Sequence, residues 1–287
     1  MTIAGGAAVW GMLLMSVHLF CHSPSEMQPA MKMRLLRSPA RVRLQQVCHD
    51  GQLLMSGHRA QPLLSLRHTY LPKKVLQRLQ ESLLFRWPLL DAAELADGYN
   101  AISVDMNMQG WPRLQAACLQ HGSRDAMHPS SRPCLDGEAP LSELHDLGQR
   151  LRAPWANAWS LNIVYAQPTD VKRAGQTGPQ DPHIDNLRLQ DGDHACSVAS
   201  TETSVLYLQV PEDMQGGELT VAGSDMDPEE HVQPETNLLV RFRGNATHRV
   251  EEFMSQSQRI SITLEQYDLP LEVSRFVPEY QFRRLQY

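Results

Sequence analysis

His183 and Asp185, separated by one residue, and a second histidine far downstream, His248, are the residue types from which a facial non-haem iron(II) site is made. Two imidazoles and one carboxylate bind one side of the metal and leave the other side open for reactants. Arg259 follows in Gln-Arg-Ile-Ser-Ile-Thr. A guanidinium is a planar fork that pairs with a carboxylate through two parallel hydrogen bonds, so an arginine downstream of such a triad suits a dicarboxylate co-substrate.

These side chains must be held by strands. Residues i and i+2 of a strand share a face, which predicts that His183 and Asp185 converge while Ile184 turns into an apolar layer. By the same rule Arg259, Ser261 and Thr263 lie on one face, and Ile260, Ile262 and Leu264 on the other. A histidine and an aspartate at this spacing are weak evidence alone in a chain with 12 histidines. Their surroundings strengthen it: an apolar strand over 204–210, Gly216-Gly217-Glu218 leading into a strand to 222, another strand over 237–242, then His248. Turn residues separate these runs, as expected of successive short β-strands.

In that order the residues resemble the 2-oxoglutarate- and iron(II)-dependent dioxygenases, in particular their prolyl 4-hydroxylase-like branch. Tyr165 stands on the strand before His183 and Asp185; the apolar strand of Val205 and Leu208, the Gly-Gly-Glu, the strand of Leu238 and Phe242, His248 and Arg259 follow in sequence. The resemblance runs from about Leu66 to Asp268. It implies a mainly β fold, a double-stranded β-helix or jelly-roll barrel buttressed by N-terminal helices. It implies His183, Asp185 and His248 as metal ligands and catalytic residues, Arg259 and Ser261 on the distal carboxylate of 2-oxoglutarate, and Tyr165 as a second contact to that co-substrate. The implied reaction couples decarboxylation of 2-oxoglutarate to succinate and CO2 with hydroxylation of an unactivated C–H bond by O2, with ascorbate as an optional reductant. Collagen-type prolyl hydroxylases carry lysine where this chain has Arg259, so the resemblance supports the co-substrate more firmly than prolyl specificity. A barrel that serves as a binding scaffold and a cupin-like metal enzyme without 2-oxoglutarate are the alternatives.

Other residues invite plainer readings. Gly216-Gly217 reads as a loop or bulge, Glu218 as a solvated carboxylate, His194 and His231 as surface or supporting residues, and Tyr207 as core. The chain has 287 residues, of which 42% are hydrophobic, enough for one substantial domain with extensions. A net charge of −6 gives no electrostatic footprint for nucleic acid, which leaves a peptide, protein or small-molecule substrate. Five cysteines without a CxxC pair signal neither a zinc ribbon nor a complete disulfide framework; Cys118 and Cys134 are read as either a bridge or two free thiols. No HExxH, GxSxG, P-loop or GxGxxG sequence occurs, which argues against the hydrolase and nucleotide-binding classes they mark.

The domain division expected is an apolar signal or anchor segment over 1–21, a basic transit-like or linker segment over 22–60, and the dioxygenase domain over 61–287 with its barrel at about 155–268. Residues 3–21 could contact a membrane, and an apolar segment followed by an arginine-rich, acid-poor one suits endomembrane or organelle, including plastid, targeting. Asn245-Ala246-Thr247 is an N-glycosylation sequon beside His248, where a glycan would crowd the site. A helix over 69–86, with Pro72 in its first turn and Val75, Leu76, Leu79 and Leu83 on one face, leads into the barrel. A second, over 142–152, has Ser142 as cap and Leu144, Leu147 and Leu151 on its apolar face. The segment 167–181, rich in Gly, Pro and Gln, is expected to form a mobile lid over the site.

Overall fold

The computed structural model describes residues 44, 54–55, 62–81, 101–112, 140–167, 182–191, 193–223 and 228–285. In chain order the strands are β1 (Leu54–Met55), β2 (Leu64–Arg67), β3 (Ala101–Asn107), β4 (Ala158–Ala166), β5 (Asn186–Asp191), β6 (His194–Ala199), β7 (Glu202–Gln209), β8 (Gln215–Gly216), β9 (Leu219–Ala222), β10 (Glu230–Val232), β11 (Leu239–Arg243), β12 (Thr247–Val250), β13 (Phe253–Met254), β14 (Arg259–Tyr267) and β15 (Tyr280–Leu285). The helices are α1 (Lys73–Glu81), α2 (Pro140–Leu151) and α3 (Leu271–Ser274).

Alternation along β14 explains the layers. Its register sets Ser261 against Val164 and Tyr207, Thr263 against Asn162 and Val205, and Glu265 against Ser160 and Thr203, all on one face. Ile260, Ile262 and Leu264 project to the other face, among Leu161, Ile163, Leu206 and Leu208. The full sheet is antiparallel, in the order β15-β3-β4-β14-β7-β11-β2. Its apolar face is covered by α1 and α2 through Leu79, Leu144, Leu147 and Leu151. Burying each such side chain stabilises the fold by about 1.5–3 kcal/mol. Trp111 and Trp159 fill the remaining space with ring centroids 5.2 Å apart, and Trp111 lies so close over Gly148 of α2 that a Cβ there would strike its ring.

The opposite face meets a smaller sheet, β10-β9-β12. Val205, Tyr207, Val240 and Phe242 of the large sheet pack against Leu219, Val221 and Val232 of the small one. Two antiparallel sheets thus face each other across an apolar and polar interior, the jelly-roll arrangement. A third sheet, β1-β6-β5, adds a core of Leu187, Leu189 and Val198 against Tyr267 and Val273, and β13 pairs with β8.

Several boundaries differ from the sequence expectations. α1 begins after Pro72, whose carbonyl accepts from the Val75 and Leu76 amides, and residues 82–86 of the expected helix lie outside the described ones. α2 starts two residues before Ser142, which therefore falls in its first turn instead of capping it. The strand expected through 216–222 is split into β8 and β9, because Gly216 and Gly217 take φ of 80° and 75°. The lid segment beyond Gln167, the segments 1–21 and 22–60 except Leu44, Leu54 and Met55, and Cys118 and Cys134 lie outside the described residues. Cys196 on β6 is disulfide-bonded, a pairing that an odd cysteine count did not reveal. Among the described residues no helix is long and apolar enough to cross a membrane.

Candidate active site

His183 and His248 come together through the backbone. Each donates its amide to the other's carbonyl, at 3.0 and 2.9 Å, which joins the first residue of the His-Ile-Asp segment to the edge of β12. His183 makes only this single bridge, and β5 begins after Asp185. The convergence expected from a strand is therefore produced by a bridge followed by two residues of irregular backbone. Ile184 is half-buried and lies outside the three apolar cores.

Asp185 Oδ1 lies 3.7 Å from His183 Nε2 and 3.5 Å from His248 Nε2, and the two imidazole centroids are 4.4 Å apart. One donor atom from each residue falls within 4.8 Å of the others, a spacing that a single metal ion can bridge. Asp185 Oδ2 is turned away and accepts from Thr203 Oγ1 at 2.8 Å; Ser200 Oγ is 3.2 Å from that hydroxyl. The Asp185 carbonyl accepts from the Ser200 amide at 3.1 Å, so both ends of the residue are held. His248 Nδ1 faces the Ala246 carbonyl at 3.4 Å; an Nδ1–H donated there leaves Nε2 as the lone-pair nitrogen. Burial lowers the His248 pKa against the pull of Asp185, which favours the neutral imidazole that a metal needs. Phe242, 4.8 Å away, closes one side of that ring.

At the start of β14, on the face shared with Ser261, Thr263 and Glu265, stands Arg259. It is only 4% exposed. Its Nη1 donates to the Gly217 carbonyl at 2.9 Å, its guanidinium stacks 5.5 Å from the Tyr207 ring and 5.4 Å from Phe253, and its Nε has no hydrogen-bond partner. Among the described residues no carboxylate pairs with it. Burial lowers its pKa. An uncompensated buried charge costs several kcal/mol, and an anionic ligand would supply what the protein does not. Gly-Gly thus has a defined local role: the positive φ of Gly217 turns its carbonyl onto Arg259, and a Cβ there would lie 3.3 Å from Nη1.

The register separates Tyr165 from this group. Tyr165 lies opposite Ile260, on the helix-covered face, whereas Arg259 lies opposite Ala166 on the interior face. Strand alternation therefore carries Tyr165 away from the place the resemblance implies, and Tyr207, read from the sequence as core, is the tyrosine beside Arg259. Ser261 is buried on the interior face, as alternation predicts. His231 pairs loosely with Glu218 at 3.7 Å on the exposed side of β10, and His194 is exposed at the start of β6; neither joins the triad. Asn245 is exposed in the turn between β11 and β12.

Glu265 is the site feature the sequence reading passed over, although continuing the β14 alternation one more step beyond Thr263 places it on the interior face. Tyr267 donates to its Oε2 at 2.5 Å and Asn162 Nδ2 to its Oε1 at 2.6 Å. Burial, reinforced by the nearby negative charge of Asp185, raises its pKa well above the ordinary carboxylate value. The sign follows from linkage: the folded state retains the proton more strongly than the unfolded chain. The fold's stability is thus highest below the unfolded pKa and falls as pH rises toward the folded one. In metal-free protein Glu265→Gln, which is neutral at every pH, is expected to match wild type in urea midpoint near pH 4.5 and to exceed it increasingly toward pH 8. A constant difference across that range would show that Glu265 is ionised in the fold.

Residues 169–264 match the family model of the 2OG-Fe(II) oxygenase superfamily. No curated protein is matched by the chain. Among solved structures it is similar to a prolyl-4-hydroxylase from Pseudomonas putida, with 20% identity over 74% of this chain and 95% of that one and a TM-score of 0.42. It is similar also to a Trichoplax adhaerens prolyl hydroxylase in complex with a peptide fragment of the hypoxia inducible factor oxygen degradation domain (15% identity, 72% and 84% coverage, TM-score 0.39). A dioxygenase for auxin oxidation from rice aligns with 14% identity, 72% and 74% coverage and a TM-score of 0.43. The matched segment contains His183, Asp185, His248 and Arg259, and its similarity to the 2OG-Fe(II) oxygenase superfamily indicates an oxidoreductase of the dioxygenase class.

Proposed function

We propose that the chain hydroxylates an unactivated C–H bond of a peptidyl substrate with release of succinate and CO2, and that residues 61–287 form the domain that does so. The observation that carries this reading is the pairing of a preformed His183–Asp185–His248 cluster with a buried, carboxylate-free Arg259 in the same barrel interior. The donor set fits iron(II): two imidazole nitrogens and one carboxylate oxygen. When bound, iron(II) with O2 and 2-oxoglutarate supplies the oxidising power for the C–H bond.

The chain's own contribution is placement and exclusion of water. His183, Asp185 and His248 would hold the metal. Arg259 receives the distal carboxylate of 2-oxoglutarate, Ser261 adds a hydroxyl on the same face of β14, and the rings of Tyr207 and Phe253 wall the guanidinium from water. The peptidyl assignment rests on the prolyl 4-hydroxylase-like order of the motifs.

The test is anaerobic addition of iron(II) and 2-oxoglutarate to the protein, followed by succinate release on admission of O2. A visible metal-to-ligand charge-transfer band and substrate-stimulated succinate are the expected results. Folded protein that gives neither would make the barrel a binding scaffold.

Thr203 should matter through Asp185. Thr203→Val keeps the side-chain shape and removes the hydroxyl from Oδ2, and is expected to weaken Mn(II) binding about 10–100-fold, with Thr203→Ser restoring it. Calorimetric titration of metal into the three proteins reads this directly; equal affinity in the valine variant would show that Asp185 needs no such support.

A further inference from the structure

The outer, helix-covered face of the large sheet carries a groove of about 350 Å3 lined by Ser65, Leu66, Arg67, Tyr70, Arg150, Leu239 and Arg241. Its floor is two cross-strand pairs, Ser65 opposite Arg241 and Arg67 opposite Leu239, where β2 runs beside β11. Its wall is Tyr70 and the last turn of α2, which carries Arg150. Leu239 and Arg241 alternate with Val240 and Phe242, whose side chains face the barrel interior. The groove is therefore on the side of the sheet opposite Arg259 and the metal cluster.

Among the described residues, three arginines from three elements line this groove and no carboxylate does, in a chain whose net charge is −6. Among the described residues Arg67 and Arg150 have no carboxylate within ion-pair distance. Arg67 stacks on Tyr70 at 5.1 Å. Arg241 has a described acid nearby: its Nε is 4.0 Å from Glu202 Oε1, and Glu202 is not among the described residues lining the groove. The end of α2 would ordinarily repel an anion through its free carbonyls. Here three of those carbonyls are occupied: Gly148 O by the Arg152 amide, Arg150 O by Tyr70 Oη at 3.0 Å, and Leu151 O by Arg241 Nη2 at 3.2 Å. Like charges held together on a surface with the local negative dipoles already satisfied leave an excess of N–H donors for an external acceptor.

We propose that this groove is a binding site for the phosphate group of a small soluble molecule. A carboxylate offers two oxygens in one plane, which a single guanidinium fork satisfies. A phosphate offers three or four oxygens in a tetrahedron, and cations from β2, β11 and α2 approach from separate directions. This inference does not depend on the dioxygenase reading, since the groove lies on the other face of the sheet.

The experiment is calorimetric titration of inorganic phosphate, and of citrate as a carboxylate control, into the full chain at constant ionic strength set with chloride. One phosphate per chain is expected, bound more tightly than citrate. Arg67→Gln and Arg150→Gln should each weaken phosphate binding about tenfold or more, as loss of a charge-assisted hydrogen bond does, and the double variant should abolish it. Both side chains are exposed, so melting in chloride should be unchanged; if one variant fails to fold, the other carries the test. Arg259→Met is the second control, because it removes the buried cation of the barrel and leaves the groove intact. Phosphate binding that survives the Arg67/Arg150 double variant, or that vanishes in Arg259→Met, would overturn the proposal. So would citrate binding as tightly as phosphate, or no phosphate binding beyond that of chloride.

Discussion

Replacing Arg259 by methionine should abolish 2-oxoglutarate binding while leaving the metal-free protein at least as heat-stable as wild type. The two effects have one cause. Among the described residues the buried Arg259 guanidinium has only the Gly217 carbonyl as acceptor, with two aromatic faces as neighbours, so the apo fold bears its desolvation and gains little in return. A long apolar side chain fills much of the same space without that cost, and such replacements of buried charge are commonly neutral or stabilising. Under the proposed function, a bound co-substrate carboxylate would make the charge favourable. Removing one partner of a buried, hydrogen-bonded charge pair costs about 2–5 kcal/mol, which corresponds to roughly 30- to 4,000-fold in affinity. Arg259→Lys keeps the charge but loses the fork, and should fall between the two. Titration of 2-oxoglutarate into the metal-loaded variants, alongside melting of the metal-free ones, reads both effects. A methionine variant that melts far below wild type, yet still binds 2-oxoglutarate, would make Arg259 a structural residue.

Comparable in size is the expected loss of metal from Asp185→Ala and His248→Ala. Each removes one of the three donor atoms that lie within 4.8 Å of one another, and the loss should exceed the upper end of the effect of altering a supporting residue, about 100-fold. Asp185→Ala also leaves the Thr203 hydroxyl without its carboxylate acceptor. His248→Ala opens the contact with Phe242 as well, so some destabilisation is expected there. Anaerobic titration with Co(II), followed through its visible d–d bands, separates metal loss from unfolding. Retained Co(II) stoichiometry in either variant would place the metal elsewhere.

Much of the candidate site was legible because strands impose a period of two. That period placed Arg259, Ser261 and Thr263 on one face and Ile260, Ile262 and Leu264 on the other, and the register of β14 agrees. Carried one step further it also places Glu265 inside. Tyr165 was misplaced for a related reason: which face of β4 looks inward depends on its pairing with β14, and the order of motifs along the chain carries no register. Tyr207 is core, as its apolar strand predicts, but a tyrosine there looks the same in sequence whether its ring meets another apolar side chain or a buried guanidinium. The split of the 216–222 strand could be anticipated from two adjacent glycines, but the target of the Gly217 carbonyl could not.

What the chain determined by itself is local and periodic: the residue types of the triad, the alternation that sorts polar from apolar faces, the apolar stripes of Leu79 and of Leu144, Leu147 and Leu151 that attach helices to a sheet. These follow from covalent geometry and hydrophobic burial, which act between residues close in sequence or on whole faces. Only the tertiary structure decided which distant groups share an atom-scale contact. The His183–His248 bridge, the Thr203 hydroxyl on Asp185, the solitary Arg259 inside and the three arginines on the outer groove each join segments far apart in the chain. Their positions depend on strand register and on the packing of helix and sheet over sheet, and a single-residue slip of a strand would send its side chains to the opposite face.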